Sequence, residues 1–198
     1  MWKLVPNILT FIRLGLTFIF LAMILYWPRM VGHPWFLDIA FVLFVIAGLT
    51  DVVDGHIARR WNATSKFGRM IDPLVDKVLV CGAFICFALI GVPKLFDWGP
   101  ATLATVHWTV AAILIAREGY VTVLRHVAEA RGINFAAVRL GKIKMFVQIF
   151  AIGTVLIKVA HVPAAWGHWF TMAVFAVMVA ITVASGLQAT QRILASRS

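Results

Sequence analysis

Four carboxylates, Asp51, Asp54, Asp72 and Asp76, fall in one short window of a chain that has only eight acidic residues in all. Asp51 and Asp54 are three positions apart and Asp72 and Asp76 four, so on helices each pair shares a face. The intervening "RRWNATSKFG" is short. It predicts that the two segments are antiparallel neighbours whose ends, and all four carboxylates, converge. Such a cluster repels itself, and each acid near lipid is costly, on the order of 2.5–3.5 kcal/mol at mid-depth and less near the interface. Arg59, Arg60, Arg69 and Lys77 stand nearby, but oxygen ligands without His or thiolate suit a divalent metal, Mg²⁺ or Mn²⁺. Two metals sharing these carboxylates would clamp a pyrophosphate and stabilise charge on a leaving phosphate. Gly55 lets a bulky ligand approach the helix backbone, and Ala58 leaves room one turn on. Arg59 is about 12 Å along the helix from Asp51, a span suited to a nucleotide diphosphate held between metal and guanidinium.

A second constellation is basic. Arg117 and Glu118 interrupt the apolar "LIAREGYVTVLR", Arg125 follows two turns later on roughly the same face, and Lys142 and Lys144 open "LGKIKMFVQ". An arginine inside an apolar segment needs a reason. Pairing with Glu118 is the bland one, weakened because adjacent helix positions point about 100° apart. A phosphate gripped by Arg and Lys explains the cluster better.

The elements that position these residues are membrane helices. The chain is 62% hydrophobic with mean hydropathy +0.94, against about 45–50% apolar for soluble domains. Six runs, near 5–27, 35–59, 70–92, 102–125, 141–160 and 168–191, match the length of about 20 residues that a bilayer core demands. The net charge of +10 reads as basic loops rather than as nucleic-acid binding. Arg59, Arg60, Lys66 and Arg69 follow the second run, and Arg125, Arg131, Arg139, Lys142 and Lys144 surround the turn after the fourth. Both loops and both termini then lie on the cytoplasmic side. Trp27, Trp35, Trp61, Trp98, Trp108, Trp166 and Trp169 sit near predicted span ends, as interfacial anchors. Cys81 and Cys86 lie more than a turn apart with no metal or disulfide framework. The histidines show no ligand spacing. The first run carries Arg13 and lacks a small-residue cleavage site, which predicts retention rather than a signal peptide. One integral domain over residues 1–198 is the expectation: all-α, polytopic, with six transmembrane helices, N-in and C-in. A transporter with ion-coordinating carboxylates is the non-enzymatic alternative, but these acids lie at span ends rather than at the midplane.

The pattern D-x2-D-G-x2-A-R-x8-G-x3-D-x3-D, from Asp51 through Gly68 to Asp76, fills every fixed position of the signature of the CDP-alcohol phosphatidyltransferases, which the chain resembles. That resemblance implies a membrane enzyme, usually a homodimer, acting at the cytoplasmic face. Such enzymes transfer a phosphatidyl group from CDP-diacylglycerol to an alcohol and release CMP. Asp51, Asp54 and Asp72 would hold two metals. Asp76 would help hold them and serve as general base. Asp51, Gly55, Ala58, Arg59 and Gly68 would line the CDP site. No Ser, Cys or His has an evident base partner, so direct attack is favoured over a phosphatidyl-enzyme. Within the family, "NILTFIRL", "RRWNATSKFGRMIDPLVDKVLV", "AREGYVTVLR" and "GKIKMFVQIFAI" resemble the bacterial phosphatidylglycerophosphate synthases. That branch implies sn-glycerol 3-phosphate as acceptor, its phosphate gripped by Arg117, Arg125 and Lys142. Asn7, Thr10 and Arg13 match its N-x2-T-x2-R and would approach the nucleotide. Gly119-Tyr120 departs from the branched aliphatic pair expected after Arg-Glu, which leaves serine, inositol phosphate and phosphatidylglycerol open as acceptors. Chain length and the lack of a transit peptide favour a bacterial plasma membrane.

Overall fold

The computed structural model describes residues 5–60, 66–131 and 139–195, with side chains described except at 5–9, 51–60, 66–73, 139, 142, 194 and 195. The described chain is helical, without strands: α1 Val5–Tyr26, α2 Pro34–Arg60, α3 Lys66–Ile90, α4 Pro100–Ala130, α5 Arg139–His161 and α6 Ala165–Ala195, with a short 3-10 turn, Trp27–Arg29, after α1. Among the described residues four stretches, Thr10–Arg29, Pro100–Ala130, Ile143–His161 and Ala165–Ile193, are long and apolar enough to cross a membrane. In α2 the part with described side chains, Pro34–Thr50, is an apolar helical stretch as well.

Local chemistry sets the boundaries. Gly91 takes a left-handed φ of 67° and Val92 N–H donates to Phe87 O at 3.0 Å, closing α3 in the way a Schellman motif does. Pro100 sits in the first turn of α4, where its missing N–H costs nothing. Two boundaries differ from expectation. Gly68 lies inside α3 rather than in the loop, since the helix starts at Lys66. α4 runs past Arg125 to Ala130, because "HVAEA" is composed largely of good helix formers. Buried Thr17 and Thr171 donate their hydroxyls to the carbonyls of Arg13 and Gly167, at 2.9 and 2.8 Å. Such back-bonding satisfies polar groups that an apolar environment would leave costly.

The helices pack in the order α1–α2–α5–α6–α4–α3 and back to α1, closing a ring that α3 and α5 also bridge. Directions alternate: Asp38, early in α2, meets His161 at the end of α5, with Oδ1 and Nε2 2.6 Å apart. The N-terminal ends of α1, α3 and α5 therefore share one end of the bundle with the C-terminal ends of α2, α4 and α6. This is the site end, since it carries the acidic window. Among the described residues α1 lies against both α2 and α3, and these two make few contacts with each other; the acidic ends where their short link would bring them together have side chains outside the described residues. Gly82 permits the approach of α1 on the α3 side, since a Cβ there would stand 2.8 Å from Leu21 Cδ1.

The apolar core fills the far end: Phe20, Ile24, Phe44, Phe84, Phe87, Ile152, Leu156, Phe175 and Met178 form one cluster. Trp27 is buried in it instead of anchoring at an interface. Trp35, Trp108, Trp166 and Trp169 are exposed, in keeping with an interfacial belt.

Candidate active site

α1 turns Thr10, Arg13 and Thr17 inward, all buried; at spacings of three and four they share one face. The Arg13 guanidinium forms an ion pair with Asp76 of α3, its own side chain only 2% exposed against 29% for the carboxylate. Arg13, which the sequence places near a nucleotide, pairs with the carboxylate expected to act as base. A buried guanidinium without such a partner would be costly, and the pair fixes Asp76 on the face of α3 turned to α1.

Lys77, the next residue, points about 100° further round and reaches α4. Its Nζ donates to Thr122 Oγ1 at 2.6 Å, and the same hydroxyl donates to the backbone carbonyl of Glu118 at 2.5 Å. Glu118 Oε1 accepts from Arg117 Nη1 at 3.0 Å and from Lys144 Nζ of α5. The three side chains are 10–13% exposed. The 100° offset between positions 117 and 118 therefore does not prevent their pairing, because both stems are long enough to bend toward each other. Even so, Glu118 supplies one negative charge against the positive charges of Arg117, Lys144 and Lys77.

Arg125 lies two turns further along α4 and is exposed. Lys142 opens α5 two residues before Lys144; its side chain falls outside the described residues, as do those of Asn7, Asp51, Asp54, Ala58, Arg59 and Asp72. For these the backbone alone is informative. Asp51, Asp54, Gly55, Ala58 and Arg59 occupy the last turns of α2, and Gly68 and Asp72 the first turns of α3, all helical and all at the site end. Among the described residues no three His, Cys, Asp or Glu side chains form a metal-ligating group. The donor set of the window, carboxylate oxygen throughout, is of the kind a hard divalent cation takes.

Three contacts of this cluster are not evident from the sequence. Glu118, in sequence a weak counter-charge, is its junction. Lys144, in sequence one of two lysines opening α5, is the one that reaches Glu118. Thr122 had only its spacing of four from Glu118 as a signal. The departure at Tyr120 is a helix contact, its hydroxyl 2.8 Å from Thr190 Oγ1 of α6.

Between them α2, α5 and α6 leave an open apolar groove of about 360 Å³, lined by Phe41, Phe44, Phe146, Phe150 and Gly153, with Lys158 at its far end. It starts, at Val45, about 9 Å along α2 from Asp51.

Comparison with known proteins bears on the same elements. The chain is 38% identical over 159 residues to the Bacillus subtilis (strain 168) protein "CDP-diacylglycerol--glycerol-3-phosphate 3-phosphatidyltransferase", covering 77% of this chain and 76% of that one. It is 33% identical over 192 residues to the protein of the same name from Salmonella choleraesuis (strain SC-B67), covering 93% and 91%. The family model for CDP-alcohol phosphatidyltransferase matches residues 3–188, from the start of α1 through the contacts of α6. The carboxylate window and the helices that carry it are thus part of a match spanning nearly the whole chain, which belongs to the CDP-alcohol phosphatidyltransferase family.

Proposed function

We propose that this protein transfers the phosphatidyl group of CDP-diacylglycerol to sn-glycerol 3-phosphate, giving phosphatidylglycerophosphate and CMP. The cluster around Glu118 carries the reading. Among the described residues Arg117, Lys144 and Lys77 surround the single carboxylate of Glu118, and buried cations in excess call for an anion. An acceptor that itself bears a phosphate answers that need, where serine would not. The names of the two relatives point to the same acceptor.

In this reading the acceptor hydroxyl attacks the β-phosphorus of CDP-diacylglycerol. Its oxygen forms the new P–O bond, the bond to the CMP phosphate breaks, and CMP leaves with the electron pair. Asp76 takes the hydroxyl proton, oriented by Arg13. Arg117, Arg125, Lys142 and Lys144 hold the acceptor phosphate. Asn7, Thr10, Gly55, Ala58, Arg59 and Gly68 seat the nucleotide, and the groove between α2, α5 and α6 takes an acyl chain. Asp51, Asp54, Asp72 and Asp76 would hold two Mg²⁺ or Mn²⁺ ions, which when bound neutralise the pyrophosphate and the departing CMP. Positioning and charge stabilisation, rather than covalent catalysis, then account for the rate.

All six helices would cross the membrane, N-in and C-in, as one domain. The basic residues that follow α2 and flank the α4–α5 turn collect at the site end, which puts that end in the cytoplasm. A homodimer in a bacterial plasma membrane, making phospholipid, completes the proposal.

The test is CMP release by purified protein given CDP-diacylglycerol, Mg²⁺ or Mn²⁺, and one acceptor at a time. Release with glycerol 3-phosphate, abolished by chelation and restored by either metal, is expected. Release only with serine, inositol phosphate or phosphatidylglycerol would replace the acceptor. No release with any acceptor would remove the enzymatic reading.

A further inference from the structure

We infer that Glu118 is a positioning residue for the acceptor: it holds Lys144 and Arg117 as a fixed two-pronged clamp for the acceptor phosphate. The inference rests on the phosphate-bearing acceptor proposed above and adds the device that shapes its site. The two prongs come from different helices, Lys144 from α5 and Arg117 from α4, and both end on the same oxygen, Glu118 Oε1. All three side chains are largely removed from water, so their conformations are set by one another rather than by solvent.

The clamp is itself braced. Thr122 donates to the Glu118 carbonyl at 2.5 Å and accepts from Lys77 at 2.6 Å. Lys77 directly follows Asp76, so the turn that carries the proposed base is tied through one hydroxyl to the turn that carries the clamp. The spacing between attacking hydroxyl and acceptor phosphate is a property of the acceptor, and this brace is what would match it. Donors also remain for a ligand. Arg117 Nε is buried without a hydrogen-bond partner among the described residues. So is Gln148 Nε2, one turn beyond Lys144 on the same face of α5 and 1% exposed. Buried donors left without acceptors are rare in folded proteins, and phosphate oxygens are acceptors.

Two roles for Glu118 predict opposite signs. As a mere counter-charge it weakens the attraction for an anion, and neutralising it should tighten acceptor binding. As a positioner it restricts a lysine that is otherwise flexible, and preorganisation of that kind favours binding. Neutralising it should then loosen the acceptor.

The experiment compares Glu118→Gln, which keeps the shape, with wild type. Wild-type CMP release with glycerol 3-phosphate is established first; its absence overturns the acceptor reading and this inference together. Given wild-type turnover, Glu118→Gln should raise the KM for glycerol 3-phosphate about tenfold, leave the KM for CDP-diacylglycerol within twofold, and weaken competitive inhibition by inorganic phosphate in parallel. Lys144→Met should also raise the acceptor KM, and the double variant should exceed Lys144→Met by less than the full effect of Glu118→Gln, since Glu118 acts partly through the lysine and partly through Arg117. An unchanged or lowered acceptor KM in Glu118→Gln, or additive effects in the double variant, overturns the positioning role while leaving the reaction intact. If Glu118→Gln does not fold, Glu118→Asp serves. It keeps the charge and withdraws it by one methylene, so the clamp reading expects a raised acceptor KM and the counter-charge reading an unchanged one.

Discussion

At the far end of the bundle, Phe84 meets Phe87 and Phe175 with ring centroids 6.1 and 6.0 Å apart, and Phe20 meets Phe44 at 5.2 Å. At the site end the same helices carry Arg13 and Thr17 on α1, Asp76 and Lys77 on α3, and Lys144 and Gln148 on α5, all wholly or partly buried. Both ends face the same problem, joining helices where lipid supplies little hydrophobic drive between them. The far end solves it by van der Waals packing of aromatic and aliphatic side chains. The site end uses ion pairs and a shared hydroxyl, a costlier arrangement in a low dielectric because each partner depends on the other. A uniformly apolar bundle would pack more simply. The polar end suits the charged molecules proposed to bind there, and among the described residues the cations around Glu118 exceed its one carboxylate.

Exchanging the materials of the two ends tests this contrast, and the largest effect belongs to Asp76→Asn. Turnover should fall about 10²–10⁴-fold, the usual weight of a general base, while CDP-diacylglycerol still binds. Single-turnover kinetics and equilibrium binding of the lipid separate the two, and a wild-type rate would take the base role from Asp76. Next is Phe84→Ala at the far end. It opens a cavity in the aromatic cluster and should cost about 2–3 kcal/mol, somewhat less than in a water-soluble core because the transfer contribution shrinks in lipid. Thermal unfolding in detergent reads this loss, and both KM values should stay within twofold. Altered KM values with unchanged stability would mean that the ends are not separable. The smallest effect is expected for Thr122→Val, which gives the site end an apolar joint of the same shape. Losing the hydroxyl should raise the acceptor KM by a few fold, about 1 kcal/mol; an unchanged value would show that the Lys77 brace has no bearing on the acceptor.

The far end was legible in the sequence because apolar runs and turn residues report their positions directly. The Gly91–Pro93 break and the six helices follow from composition and spacing. Even there Trp27, assigned to an interface by its place near a helix end, proved to be core: position along a helix does not reveal which face a side chain takes. At the site end the acidic window was conspicuous, since an aspartate in an apolar chain stands out without knowledge of its partners. The partnerships themselves were not legible. Arg13 and Asp76 are 63 residues apart, and their pairing depends on α1 lying against both α2 and α3, which a short α2–α3 link does not reveal. Adjacent positions 117 and 118 looked poorly disposed to pair because helical geometry fixes Cβ directions, not where long flexible side chains end. Lys144 joins Glu118 although α4 and α5 are not adjacent in the ring, their long side chains meeting between the helices, a tertiary fact that no local pattern encodes.

The central claim is that the charged end of this bundle joins a nucleotide-activated lipid to a phosphorylated alcohol. Transfer of label tests it most directly. Radiolabelled glycerol 3-phosphate, incubated with purified protein, CDP-diacylglycerol and Mg²⁺ or Mn²⁺, should enter the organic phase as lipid, one mole per mole of CMP released. Label that stays in water while CMP is released, or that enters lipid equally well without CDP-diacylglycerol, would contradict it.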